Sequence, residues 1–411
     1  MRISKTTVLA LFAAGTTAAC AGDWPQWRGP DRDAISDETG LLQAWPEGGP
    51  PQAWVVQTPG EGYAAPAIVG NRIYITGSVD SGRERTGELY ALSTTDGSVQ
   101  WRTTYGPEWG RSYSMSRTTP TYVEGRLYLY SAMGTAACFD ARTGERRWSV
   151  DTIERFGGQN IRWGIAESPL VLDNMFICHP GGPDSSVVAL NAATGETVWT
   201  TRGLSEASAY CSPISHRLGD RTLIVTQTAE NIVGIDAATG EVLWKSPQKN
   251  RYSVHPNTPV IFDDKVFISS GYGHGSQLLA LKSNGLAVER VWAEGRLDSQ
   301  FQGTLYVRGR LFGSRMRGPL VCLDPATGKT VYEASEVRKA SILYADNRLY
   351  AYNEKGGTLL LLDVREDGYA VNGSTRVSAG DGPHWAHPAL SRGMLYIRHG
   401  TALVAYNVKA Q

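Results

Sequence analysis

Asp236-Ala237-Ala238-Thr239-Gly240-Glu241-Val242-Leu243-Trp244 is the stretch that decides the fold. It returns along the chain. Asp140-Ala141-Arg142-Thr143-Gly144 runs on to Trp148, Asn191-Ala192-Ala193-Thr194-Gly195 to Trp199, and Asp324-Pro325-Ala326-Thr327-Gly328 to Tyr332. Looser copies, Thr94-Thr95-Asp96-Gly97 and Ser283-Asn284-Gly285, precede Trp101 and Trp292. Each part has a physical job. Asp or Asn opens a turn, because its short side chain bonds backbone N–H groups just ahead. Gly supplies the positive φ that lets the chain reverse. The strand that follows ends on a ring too large to leave uncovered, and the nearest cover is the next copy of the unit.

Spacing extends the pattern to the whole chain. The repeat aromatics are Trp54, Trp101, Trp148, Trp199, Trp244, Trp292 and Tyr332, at intervals of 47, 47, 51, 45, 48 and 40 residues. Pro66, Pro120, Pro259 and Pro388 each stand eight positions before an aromatic, namely Tyr74, Tyr128, Phe267 and Tyr396. A period of about 40–50 residues built from several short strands is the mark of a propeller blade. Unit starts at 66, 120, 169, 213, 259, 304, 342 and 388 count eight. The stretch Gln52–Thr58 carries Trp54 with no unit before it. The last unit, from Pro388, ends after its third strand, Ala402 to Asn407. Each fragment lacks what the other has. The expectation is an all-β, eight-bladed propeller of four-stranded blades, closed by an N-terminal strand that completes the C-terminal blade and so removes two open sheet edges.

Three regions follow: 1–21 as a signal peptide, 22–51 as an irregular lead-in and 52–411 as the propeller. Arg2 and Lys5 precede the apolar run Val8 to Ala14, a secretory pattern too short to span a bilayer. Two cleavage readings stay open. Ala18-Ala19-Cys20 resembles a lipobox and would leave Cys20 lipidated, whereas Ala19-Cys20-Ala21 fits a small-x-small site. Either way the mature chain is exported, to the periplasm or the outer membrane. The lead-in, with Asp23-Trp24-Pro25-Gln26-Trp27-Arg28-Gly29-Pro30, is expected to lie across the body and bury its indoles. Lys plus Arg and Asp plus Glu both number 40. A nucleic-acid surface needs a basic excess, so that class is excluded. Cys138, Cys178, Cys211 and Cys322 lie in different units and read as buried free thiols in strands, with a disulfide as the alternative.

With its Ala-x-Thr-Gly-x-x-x-Trp repeat, the chain resembles the PQQ-like eight-bladed propellers. That superfamily includes pyrroloquinoline-quinone alcohol dehydrogenases and the lipoprotein subunit of the outer-membrane β-barrel assembly machine. The repeat is structural, so the resemblance implies the fold more firmly than a function. The dehydrogenases carry an adjacent Cys-Cys pair over the cofactor, a Trp beneath it, a Ca-binding Glu/Asn set and an Asp base. No Cys-Cys dipeptide occurs here.

Side chains just before each blade's first strand can converge on the axis. They are Tyr63, Arg117, Arg162, Trp163, Glu167, Tyr210, His255, Asn257, Gln300, Gln302, Arg338, Lys339, His384, Trp385 and His387. A planar anion would want the cations for its carboxylates and the indoles of Trp163 and Trp385 for stacking, with Arg117, Arg162 and Arg338 as charge partners. The bland alternative is a wet polar channel whose residues bond water and one another. His384-x-x-His387 has no acidic or Cys partner at metal spacing and reads as a surface pair. Asp31-Arg32-Asp33 and Asp263-Asp264 are too short for a calcium loop. Two functions follow. One is a non-catalytic, monomeric binding scaffold for envelope proteins, with no cofactor and no membrane contact beyond a lipid on Cys20. The other is a dehydrogenase acting on alcohols or sugars with pyrroloquinoline quinone and calcium, for which Glu167 and Asn257 would offer the calcium oxygens.

Overall fold

The repeat turns are made as their chemistry requires. The side chains of Asp140, Asn191 and Asp236 accept from backbone N–H groups two and three residues on, and that of Asp324 accepts from Ala326 N and the Thr327 hydroxyl. Gly240 sits at φ +76°, and the aromatic of the preceding blade lies against it. Trp199 Nε1 donates to Ala237 O at 3.0 Å, and a Cβ built on Gly240 would stand 2.6 Å from Trp199 Cε3. The same pairing joins Trp101 to Ala141 O and Gly144, Trp148 to Ala192 O and Gly195, and Trp292 to Pro325 O and Gly328. The glycine is thus demanded twice, by its backbone angle and by the indole it supports. The repeat is the seam between neighbouring blades.

The computed structural model describes residues 22–57, 59–82 and 85–410. Residues 1–21, expected to be a signal peptide, and with them Cys20, lie outside the described residues. Eight antiparallel sheets stand in a ring, each meandering outward from its first strand. Blade one holds Ala67–Val69, Arg72–Asp80, Arg85–Ser93 and Val99–Glu108, and blade five Val260–Phe262, Lys265–Ser270, Gly275–Lys282 and Ala287–Glu294. The last sheet runs Ala389–Ser391, Met394–His399, Ala402–Asn407 and then Gln52–Val56, with Trp54 opposite Ala405. Trp54 crosses to blade one like every other repeat aromatic, donating to Thr94 O at 3.1 Å. Arg398, fully buried on blade eight, donates to Thr76 O and Gly60 O across the same seam.

The lead-in differs from expectation in one respect. Ile35–Ser36 pairs in parallel with Ala340–Ala345, so blade seven has five strands. The rest is irregular but firmly held. Trp24 pairs with Ile68 of blade one, and Pro25 O accepts from Tyr122 N of blade two. Arg32 donates to Ser168 O and Pro169 O of blade three, and Arg28 to Thr304 O of blade six. Because these partners lie on or beside the first strands of blades one, two and three and, on the other side of the ring, six and seven, residues 24–36 run across the ring axis. Both guanidiniums are 2% exposed, and burial lowers Arg28 to about 10 and Arg32 to about 9. Carbonyl oxygens satisfy most of their donors, as a buried cation requires. The four described cysteines are buried and free, Cys138, Cys178 and Cys322 in strands and Cys211 in the segment before a strand.

Candidate functional site

The segments entering each first strand, and the hairpins between second and third strands, meet on one face and form a cup of about 430 Å3 on the axis. Every blade contributes: Tyr63, Arg117, Trp163 with Ala166, Tyr210 with Ser212, Val254 with Pro256, Gln300 with Phe301, Lys339, and Trp385 with His387. Tyr113, Tyr272, Met316 and Glu354 complete the wall. Trp27 of the lead-in also lines it, donating Nε1–H to Thr258 Oγ1 at 2.9 Å and lying 4.5 Å from the His387 ring. Since the lead-in crosses the axis there, Trp27 and His387 form the floor of a blind cup.

Rings dominate the surface. Trp385 is packed by Tyr63 at 4.8 Å, Tyr113 at 5.1 Å and Phe301 at 5.6 Å. Across the ring, Trp163 meets Tyr210 and Tyr252, and Tyr252 meets Tyr272 at 4.8 Å. Tyr272 has φ +62°. Its hydroxyl accepts from Gln300 Nε2 at 2.8 Å, and a Cβ on the neighbouring Gly271 would crowd Gln300. This is the work of the Gly271-Tyr272-Gly273-His274-Gly275 hairpin.

The charged groups of the wall are few. Lys339 Nζ stands 2.6 Å from Glu354 Oε2, while Glu354 Oε1 accepts from Trp385 Nε1 at 2.7 Å. Arg117 donates to Tyr113 O, and burial lowers its pKa. Burial raises Tyr210 to about 12. Burial, then the nearby Arg28, lowers His387 to about 3, so its imidazole is neutral and donates Nε2–H to Phe301 O at 2.8 Å.

Of the sequence-predicted residues, the cup gathers Tyr63, Arg117, Trp163, Tyr210, Gln300, Lys339, Trp385 and His387. Seven lie elsewhere. Arg162 is exposed and covers the Trp163 ring at 4.8 Å. Arg338 is exposed and donates to Ser335 O. Glu167 is fully buried, 2.7 Å from His179 Nδ1, and accepts from His179 N. Asn257 bridges blades five and six, donating to Ser269 O and Ser299 O and accepting from Gly303 N. His255 is buried against Ser270 Oγ, and Gln302 accepts from Gln300 N and Phe301 N. His384 and His387 do not form a surface pair. His384 stacks on His399 at 3.7 Å and meets Tyr352 Oη, whereas His387 is in the floor. Among the described residues no cluster of three His, Cys, Asp or Glu has metal-ligand geometry. Sequence reasoning did not single out Tyr113, Phe301, Tyr272, Met316, Glu354 or Trp27 as lining. Tyr113 and Phe301 precede first strands, Tyr272, Met316 and Glu354 sit on hairpins between second and third strands, and Trp27 reaches the axis only through the path of the lead-in.

A family model described as outer membrane protein assembly factor BamB matches residues 85–330. Quinohemoprotein alcohol dehydrogenase ADH-IIG of Pseudomonas putida is 27% identical over 147 residues, which are 33% of this chain and 19% of that protein. The chain thus spans about a fifth of that curated relative. Among solved structures, BamB from Moraxella catarrhalis superposes with a TM-score of 0.62 at 14% identity, covering 87% of this chain and 99% of that one. The ADHIIG structure from Pseudomonas putida HK5 gives 0.66 at 14%, covering 95% and 81%. Quinohemoprotein alcohol dehydrogenase from Comamonas testosteroni gives 0.54 at 14%, covering 96% and 82%. At these identities the superpositions establish the fold alone.

Proposed function

The chain belongs to the PQQ-like propeller family whose model is described as outer membrane protein assembly factor BamB, and on that premise we propose that it is an exported, non-catalytic binding scaffold of the cell envelope whose axial cup receives its ligand. The observation behind this reading is the make-up of the cup: ring faces from all sides, a closed floor, and polar groups tied to the walls. Glu354 is engaged by Lys339 and Trp385, and His387 by Phe301 O. General acid–base chemistry needs a donor and an acceptor poised about a free position, and neither group is free in that sense. The scaffold works as a single propeller. Its partners are envelope proteins, and membrane attachment rests on acylation of Cys20 alone.

A second reading, a quinone-dependent alcohol dehydrogenase, is favoured by the segment shared with ADH-IIG. The quinone would supply the redox chemistry, with Trp27 and Trp385 offering faces and Arg117 a cation. The calcium implied by the resemblance does not fit Glu167 and Asn257. Glu167 is enclosed against His179, and Asn257 Oδ1 already accepts from Gly303 N. The test is to add pyrroloquinoline quinone and calcium to the purified protein, then follow melting temperature and dye-linked alcohol oxidation. The scaffold reading expects no turnover. Turnover that disappears in Arg117→Ala or Trp385→Ala would overturn it.

A further inference from the structure

The charges of the cup select among ligand classes. Three charged side chains line it: Arg117, Lys339 and Glu354. Lys339 is neutralised by Glu354 at 2.6 Å, which leaves one unpaired guanidinium. A ligand with several carboxylates would meet a single free cation and the Glu354 carboxylate beside it, in a partly desolvated site where like charges repel strongly. The Glu354 side chain lines the cup and is partly exposed. An ionised carboxylate only accepts hydrogen bonds, so it calls for a proton donor, which a ligand carboxylate lacks and a hydroxyl group has.

The aromatic surface points the same way. An aromatic ring carries negative charge on its faces, and the C–H groups along one side of a sugar ring are weakly positive. Trp385 stands on blade eight, and Trp163 and Tyr210 stand across the axis on blades three and four. A volume of about 430 Å3 lies within the usual range of small-molecule sites.

We infer that the cup binds an uncharged saccharide, stacked on Trp385 and Trp163, with its hydroxyls donating to Glu354 and accepting from Arg117. This rests on the cup being the ligand site. Isothermal titration with maltose, cellobiose and N,N′-diacetylchitobiose is compared with pyrroloquinoline quinone as the polyanion, using the full mature chain. At least one disaccharide should bind one to one. Glu354→Gln, which keeps the shape, should weaken it about tenfold, because an ionised acceptor becomes a neutral one. Trp385→Phe should weaken it less than Trp385→Ala, and Arg338→Ala, outside the cup, should leave it unchanged. If instead the quinone binds, the disaccharides do not, and Glu354→Gln tightens the quinone, the saccharide class is overturned while the cup remains a ligand site. If no probe binds and none shifts the tryptophan fluorescence, both readings fall.

Discussion

Replacing Gly240 by Ala probes the contact on which the ring is built. The residue sits at φ +76°, where an L side chain costs about 1–2 kcal/mol. The added methyl would stand 2.6 Å from Trp199 Cε3 and 2.7 Å from Cδ2. Trp199 is 7% exposed and fixed by its bond to Ala237 O, so it moves only by disturbing the seam. Overpacking of this kind costs about 1–3 kcal/mol. The substitution should therefore destabilise by about 2–5 kcal/mol. Gly125 is the control: φ is +79° and a Cβ there meets nothing within 4 Å, so Gly125→Ala should cost the backbone part alone. Urea unfolding followed by far-UV circular dichroism gives both. In a Trp199→Ala background the steric part should vanish, so the double variant should be less destabilised than the two singles together. If Gly240→Ala costs no more than Gly125→Ala, or the same with and without Trp199, the indole-on-glycine seam does not carry the blade contact.

Three further outcomes follow from buried polar groups. Arg32→Ala leaves the carbonyls of Ser168 and Pro169 and the Gln26 amide without their donor; a loss of about 3–5 kcal/mol is expected, with limited proteolysis cutting first within residues 22–51. His255 and His387 are lowered to about 4 and about 3, chiefly by burial. The unfolded chain thus binds more protons between pH 6.5 and those values, and the stability from keeping both rings neutral is lost as pH falls through that window. Asp33, raised by burial to about 6, works in the opposite direction over its own window. Urea midpoints measured from pH 7 to 4 should fall, and His387→Gln should flatten the slope. Burial pushes the thiols of Cys138, Cys211 and Cys322 up to about 11, so Ellman's reagent at pH 8 should leave them unmodified in the native protein and titrate them after unfolding; rapid native reaction at these positions would contradict their burial.

The blind cup depends on a segment outside the repeats. Without the lead-in, the ring would enclose a channel lined by first strands, open towards both faces. Arg28 and Arg32 hold that segment by donating to carbonyls at the starts of blades six and three, where first strands leave backbone acceptors facing the axis. Their burial is costly in itself, and most of their N–H groups find an oxygen. The indole of Trp27 is thereby fixed beside His387.

The periodic features were legible from the chain alone, because each repeats a local rule. Turn chemistry at Asp236–Gly240, the spacing of the indoles and the complementary end fragments specify eight blades and their closure through Trp54 and Ala405. Residues before first strands were expected near the axis, since strand entry leaves few other directions, and eight of the fifteen named line the cup. Which of them face the opening was decided by contacts between blades. Glu167 is turned away by His179, Asn257 by the carbonyls of Ser269 and Ser299, and His384 by stacking on His399. Glu354 and Trp27 enter the cup from a hairpin and from the lead-in. Their positions depend on partners that are distant along the chain and have no counterpart in the repeat, so only the assembled ring could place them.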